Sequence, residues 1–246
     1  MDQIYLMVAP IEMWCGPSRL GTATSFFFTN EGQLYLITNR HVVRNETELL
    51  FPDKLRLRLH TNAQDHTQNT SYDIQLYRDG KSVWREMPGV DLVAIELSKV
   101  EMSHFVLVAL DSRFLPPKNL VLAAGDEVDV VGYPFGFSDA IHNYPVVRTG
   151  ALASAYPEHF AGQPFFLIDA RLHPGTSGSP VLLKPSNILR TSETIVHGDY
   201  HIFLIGVNSG NFQSHGESLG LNVIWYGSEV VALTDASFHS QIFPQP

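Results

Sequence analysis

Three short segments carry residue types that could together attack a carbonyl. In PGTSGSPV (174–181), Ser177 is flanked by small residues. A serine hydroxyl is a poor nucleophile at neutral pH and needs an adjacent base and a pocket for the developing oxyanion. Gly175 lets the chain bend so that the amides of Gly175 and Ser177 converge on one point. Taken alone, the segment is also an ordinary Gly/Ser turn between strands. In LYLITNRHVV (34–43), His41 follows an apolar strand at its edge, where an imidazole can act as general base. In PGVDLVAIELS (88–98), Asp91 stands at the mouth of a strongly apolar strand, where an unpaired charge is costly. A carboxylate there would accept from the His41 ring and fix its tautomer, although a turn aspartate after Pro88-Gly89 is the plainer reading of that residue alone. Together, the order His41, Asp91, Ser177 is that of acyl transfer by a charge-oriented serine in double-barrel proteins. The Gly-x-Ser-x-Gly elbow of α/β-hydrolases does not fit, because the glycine follows Ser177 directly and a strand, PVLL, comes next.

These residues need a β framework. Segments of four to eight residues rich in Val, Ile, Leu and aromatics recur along the chain, among them TSFFFT (24–29), LRLRLH (55–60), DIQLYR (73–78), EVDVVGY (127–133), FFLIDARL (165–172), HIFLIGVN (201–208) and LNVIWYG (221–227). About a dozen such strands without a long helical period predict an all-β protein of two six-stranded antiparallel barrels. The first barrel is expected over about 1–113 and the second over about 120–246, joined by LDSRFLPPKN (110–119), all within one domain. YLMVAPIEMW (5–14) reads as the first strand and TNAQDHTQNT (61–70) as a hairpin tip. HVVRN suggests one helical turn, and SEVVALTDASF (228–238) a short C-terminal helix capped by Ser228.

Composition narrows the function classes. A chain of 246 residues with 44% hydrophobic and 17% charged residues has material for a packed core. Its net charge of −9 and lack of a Lys/Arg run argue against nucleic acid as a partner. The single cysteine, Cys15, suits a reducing compartment, and the uncharged start reads as a strand, not a signal peptide, so a cytoplasmic location without membrane attachment is expected. No cofactor is implied. His197 and His201 lie four apart between strands with no third ligand in view, so no metal is expected there.

The chain resembles the trypsin-like serine peptidase superfamily, most closely the protease domain of HtrA/Deg-type bacterial enzymes without a PDZ module. GTATSFFFTNEGQLYLITNRHVV (21–43), DLVAIEL (91–97), GYPFGFSDAIHNYPVVRTGALAS (132–154), DARLHPGTSGSPVLL (169–183), LIGVN (204–208) and GLNVIWYGSEVVAL (220–233) follow that family's plan over nearly the whole length. The resemblance implies a serine endopeptidase acting on polypeptides, with His41, Asp91 and Ser177 as triad and the Gly175 and Ser177 amides as oxyanion hole. It also implies a primary pocket formed by Arg171, Leu172, His173, Pro174, Val207, Asn208 and Ser209. Leu172 would favour small or medium apolar side chains, whereas an inward Arg171 would favour acidic ones. Thr176 stands where the family has Asn or Asp, so no carboxylate awaits a new N-terminus, and activity without zymogen cleavage is expected. Ser179 replaces a glycine. The alternatives are a protease-fold module that binds peptides without cutting them, and an esterase with the same triad. A regulatory protein partner is compatible with either reading.

Overall fold

The computed structural model describes residues 3–245, and of residues 196–201 the backbone only. A 3-10 turn at Gln3–Leu6 precedes β1 (Val8–Cys15), so the first strand starts later than its apolar run. There follow β2 (Ser18–Asn30), β3 (Gln33–Thr38), the helical turn α1 (Arg40–Val43), β4 (Lys54–His60) and β5 (Asn69–Gln75). A minor hairpin, β6 (Tyr77–Arg78) and β7 (Lys81–Ser82), leads to β8 (Trp84–Glu86), β9 (Val93–Leu97), α2 (Lys99–Met102) and β10 (Leu110–Asp111). These strands form an eight-stranded sheet in the order β5-β4-β1-β2-β3-β9-β8, with β10 added parallel to β2.

The second half is a closed six-stranded barrel, in the order β11-β12-β13-β16-β15-β14. Its strands are β11 (Glu127–Gly132), β12 (Val146–Leu152), β13 (Phe165–Asp169), β14 (Pro180–Arg190), β15 (Ile195–Ser214) and β16 (Glu217–Tyr226). The all-β, double-barrel expectation therefore holds, with more strands in the first sheet than six. β14 and β15 run well beyond PVLL and HIFLIGVN because each supplies the other's backbone partners out to Arg190 and Ile195. The metal expectation for His197 and His201 concerns side chains outside those described.

Alternation explains why the strands look apolar throughout. Phe26 and Phe28 point into one core while Phe27 points into another, and all three are buried. Ala94 on β9 likewise faces away from Val93 and Ile95. In the second barrel Leu182 and Leu204 turn opposite to Val181, Leu183, Phe203 and Ile205. One core fills each barrel, and a third, holding Phe26, Phe28, Tyr133, Leu182, Leu204 and Trp225, fuses them. A sheet that faces its own barrel on one side and the other barrel on the other is dry on both faces, so polar alternation is lost. Strand β4 is the contrast: Leu55, Leu57 and Leu59 are buried, while Arg56 and Arg58 face outward.

The C-terminal helix α3 spans Gly227–Thr234, with Tyr226 and not Ser228 at its N-cap position and no side-chain cap. It presents Val230 and Leu233 to the fusing core. The chain then returns over the first barrel, where Phe243 stacks on Trp84 at 6.2 Å.

Backbone contact across the seam is close. Thr24, fully buried on β2, donates its amide to the Ser177 carbonyl at 2.8 Å and its hydroxyl to the Gly175 carbonyl at 2.8 Å. The same hydroxyl accepts from the Tyr133 amide at 3.0 Å. Gly178 has φ +83°, and a Cβ there would run into the Thr24 carbonyl and the Thr38 hydroxyl. Gly178→Ala should therefore destabilise the protein by at least about 2 kcal/mol, read as a lower urea midpoint. An unchanged midpoint would mean that the seam is looser than described.

Candidate active site

His41 lies on α1, immediately after β3 delivers the chain to the seam. Asn39, fully buried, donates its side-chain amide to the Asp91 carbonyl at 2.8 Å, which ties the end of β3 to the start of the aspartate segment. His41 then engages the Asp91 carboxylate twice. Its backbone amide donates to Oδ1 at 3.0 Å, and its ring Nδ1 lies 2.7 Å from Oδ2. A third donor comes from the other barrel: the Ser209 hydroxyl reaches Oδ2 at 2.6 Å. Burial raises the Asp91 pKa, but the bonds and charge of His41 and the bond from Ser209 outweigh it, and the carboxyl sits below its ordinary value.

Ser177 occupies the turn between β13 and β14. Its hydroxyl donates to the Ser209 carbonyl at 3.1 Å and makes no hydrogen bond with the His41 imidazole. His41 and Asp91 are thus joined directly, while Ser177 is joined to them through Ser209, whose hydroxyl touches Asp91 and whose carbonyl touches Ser177. Hydrogen bonds of such sites often tighten only when substrate is bound.

The turn itself is braced from three directions. The Thr176 amide donates to the His173 carbonyl at 3.2 Å, the Ser179 amide to the Thr176 carbonyl at 3.0 Å, and the Gly178 amide to the Asn208 carbonyl at 2.8 Å. The amides of Gly175 and Ser177 enter none of these bonds. Gly175 has φ +95°, and a Cβ there would lie 2.6 Å from the Phe135 amide nitrogen and the Tyr133 carbonyl oxygen, so only glycine fits.

The other residues expected at the site divide. Leu172 and Val207 are buried, whereas Arg171 and Pro174 are exposed. Arg171 has no ion pair among the described residues. His173 is half-buried and stacks on Phe135 at 5.3 Å. Asn208, 1% exposed, donates to the Thr176 carbonyl at 2.9 Å and so holds the Ser177 turn from behind. Asn222, equally buried, does the same for the Ala170 carbonyl at 2.7 Å. Sequence reasoning missed Thr24 and Asn222. The only local sign of Asn222 is a carboxamide in the inward series of LNVIWYG, and Thr24 gives none. The linking role of Ser209 was missed too, since the residue was expected to line the substrate pocket. No group of three or more metal-ligating side chains occurs among the described residues.

Two barrels fused along a seam, with an oriented imidazole on one side and a serine on a strained glycine turn on the other, define the double-barrel peptidase class. A family model described as a trypsin-like peptidase domain matches residues 23–187, and the chain belongs to that family. No curated protein sequence matches it. Solved structures share the fold at low identity. The HtrA-type protease AlgW with a tripeptide has TM-score 0.55 and 16% identity, with 94% of this chain and 59% of that chain covered. The inactive form of Rv3671c from M. tuberculosis H37Rv has TM-score 0.52 and 14% identity, with 94% and 85% covered. A serine endoprotease from Yersinia pestis has TM-score 0.54 and 12% identity, with 94% and 62% covered. The chain thus spans about three fifths of the AlgW and Yersinia proteins.

The lowered Asp91 pKa has a direction in pH. Above the ordinary aspartate range, at about pH 4 and higher, the carboxylate is ionised in both folded and unfolded chains and its stabilising contacts are complete. As pH falls through that range toward the native value, the unfolded chain takes up the proton first and the stabilisation is lost. The difference in unfolding free energy between wild type and Asp91→Asn should therefore be largest at neutral pH and shrink in acid. Urea titrations at a series of pH values measure it, and a constant difference would exclude a stabilised carboxylate.

Proposed function

We propose that this chain is a serine endopeptidase, and the observation that carries the reading is the His41–Asp91 pair, with Nδ1 2.7 Å from Oδ2, tied by the Ser209 hydroxyl to the barrel that bears Ser177. In this reading Asp91 holds the His41 Nδ1–H, leaving Nε2 to take the Ser177 proton as the hydroxyl attacks a peptide carbonyl. The Gly175 and Ser177 amides, unused within the turn, would hold the oxyanion. The protonated imidazole then gives its proton to the leaving amine, and water, deprotonated in turn by His41, hydrolyses the acyl-enzyme.

Activity without zymogen cleavage fits the turn. Thr176 is buried, its hydroxyl donates to the His173 carbonyl at 2.7 Å, and Asn208 donates to its carbonyl. The turn is held by internal neutral partners and needs no ammonium from a new N-terminus. A small or medium apolar residue before the scissile bond is favoured by the buried Leu172 and Val207, together with the exposure of Arg171. The bond from Ser177 to the Ser209 carbonyl, in place of one to His41, is the observation that favours a second reading, a peptide-binding module that does not cut.

A fluorophosphonate probe separates the readings. The peptidase should gain the mass of one adduct on Ser177 and cleave a denatured protein substrate, and Asp91→Asn should slow both by about 10⁴-fold. Labelling without peptide cleavage would indicate an esterase, and no labelling at all would leave the binding module.

A further inference from the structure

The turn that carries Ser177 touches the wall of a cavity at Gly136. A Cβ on Gly175 would lie 3.2 Å from the Gly136 amide nitrogen, and one on Gly136 would lie 3.0 Å from Thr22 Cγ2 and 3.5 Å from Arg19 Nη2. Gly175, itself buried, therefore packs against Gly136, which with Thr22 and Arg19 lines a pocket of about 450 Å³. Arg56 and Arg58, turned outward by the alternation of β4, line its far wall.

Charge in this pocket runs against the rest of the molecule, which carries a net −9. Of the three guanidinium groups, Arg19 faces Glu12 at 3.5 Å, with Glu12 also in the lining. Arg56 is held by Asp73 through Nε at 2.7 Å and Nη2 at 3.0 Å, and Lys54 shares that carboxylate at 3.1 Å. Arg58 bonds only the neutral side-chain oxygen of Asn69 and has no carboxylate partner among the described residues. Four cations, Arg19, Lys54, Arg56 and Arg58, share two carboxylates, Glu12 and Asp73, and Arg58 is the one of the four that bonds neither. A guanidinium presents a fork matched to a carboxylate, and although Arg58 is exposed, so that a pair there is modest, the fork still tells acid from amide.

Resting on the peptidase reading, we infer that this pocket receives an acidic side chain of the substrate on the leaving-group side of the scissile bond, with Arg58 as its main partner and Arg19 as its second. The side follows from Ser177: its hydroxyl faces Ser209 on β15, the edge on which the acyl half would lie, whereas its carbonyl is held by β2, which leads through Thr22 to the pocket.

The test is a peptide series with one constant acyl half, carrying Glu, Gln or Lys in turn at each of the first four leaving-side positions. At one position kcat/KM should favour Glu over Gln by about 3- to 5-fold, with Lys poorest. The preference should weaken between low and high salt. Arg58→Gln should bring the Glu-to-Gln ratio to about one, and Arg58→Glu should invert the preference toward Lys. No position with a Glu advantage above about two-fold, or an advantage that survives both Arg58 variants, overturns the inference. Cleavage of the Gln peptides and probe labelling report the peptidase reading separately. Should no peptide be cut, fluorescence anisotropy of a labelled leaving-half peptide on Ser177→Ala makes the same Glu-to-Gln comparison, and equal binding overturns the pocket.

Discussion

A carboxylate placed where two β-barrels meet must find donors on both, or the seam would not close around it. Asp91 finds them: two from His41 on its own barrel and one from Ser209 on the other. That single group orders much of what surrounds it. It fixes the imidazole in the plane set by Nδ1, commits the Ser209 side chain, and through the Ser209 carbonyl sets the resting direction of the Ser177 hydroxyl. The fusing core of Phe26, Phe28, Leu182, Leu204 and Trp225 supplies the apolar force that holds the barrels together. The hydrogen bonds at Asp91 and Thr24 set their register.

Thr24 does for the Ser177 turn what Ser209 does for the carboxylate. One hydroxyl and one amide from β2 satisfy the Gly175 and Ser177 carbonyls and accept the Tyr133 amide, so three segments of the chain meet at one small side chain. With both carbonyls directed toward β2, the intervening peptides are constrained, and the glycines at 175 and 178 provide the positive φ that this path requires. The turn is rigid because its carbonyls are held from a different barrel. Its geometry therefore depends on the fusion of the two.

The same alternation that builds the first barrel also dresses its outer surface. LRLRLH puts three leucines in the core and, as an automatic consequence, two arginines side by side outside it. One is neutralised by Asp73 on the neighbouring strand, and the other is left facing the pocket beside Gly136. A structural pattern thus leaves a charged feature in the same pocket as Gly136, which packs against the Ser177 turn.

The amino-acid sequence alone determined the strand pattern, the barrel class and the His41, Asp91 and Ser177 segments. Each is a local property: apolar runs bounded by turn residues, a glycine-flanked serine, a polar residue at a strand edge. The eight-stranded first sheet, the long β14–β15 hairpin and the missing Ser228 cap departed from that reading, because strand length and helix entry depend on partners supplied by distant segments. Only the tertiary structure decided that Ser209 serves Asp91, that Asn208 and Asn222 hold the loop from behind, and that Arg58 faces a pocket whose wall touches the Ser177 turn at Gly136. Those roles are hydrogen bonds and charges between residues far apart in the chain, and no periodicity along the sequence records which polar groups will meet once the cores have packed.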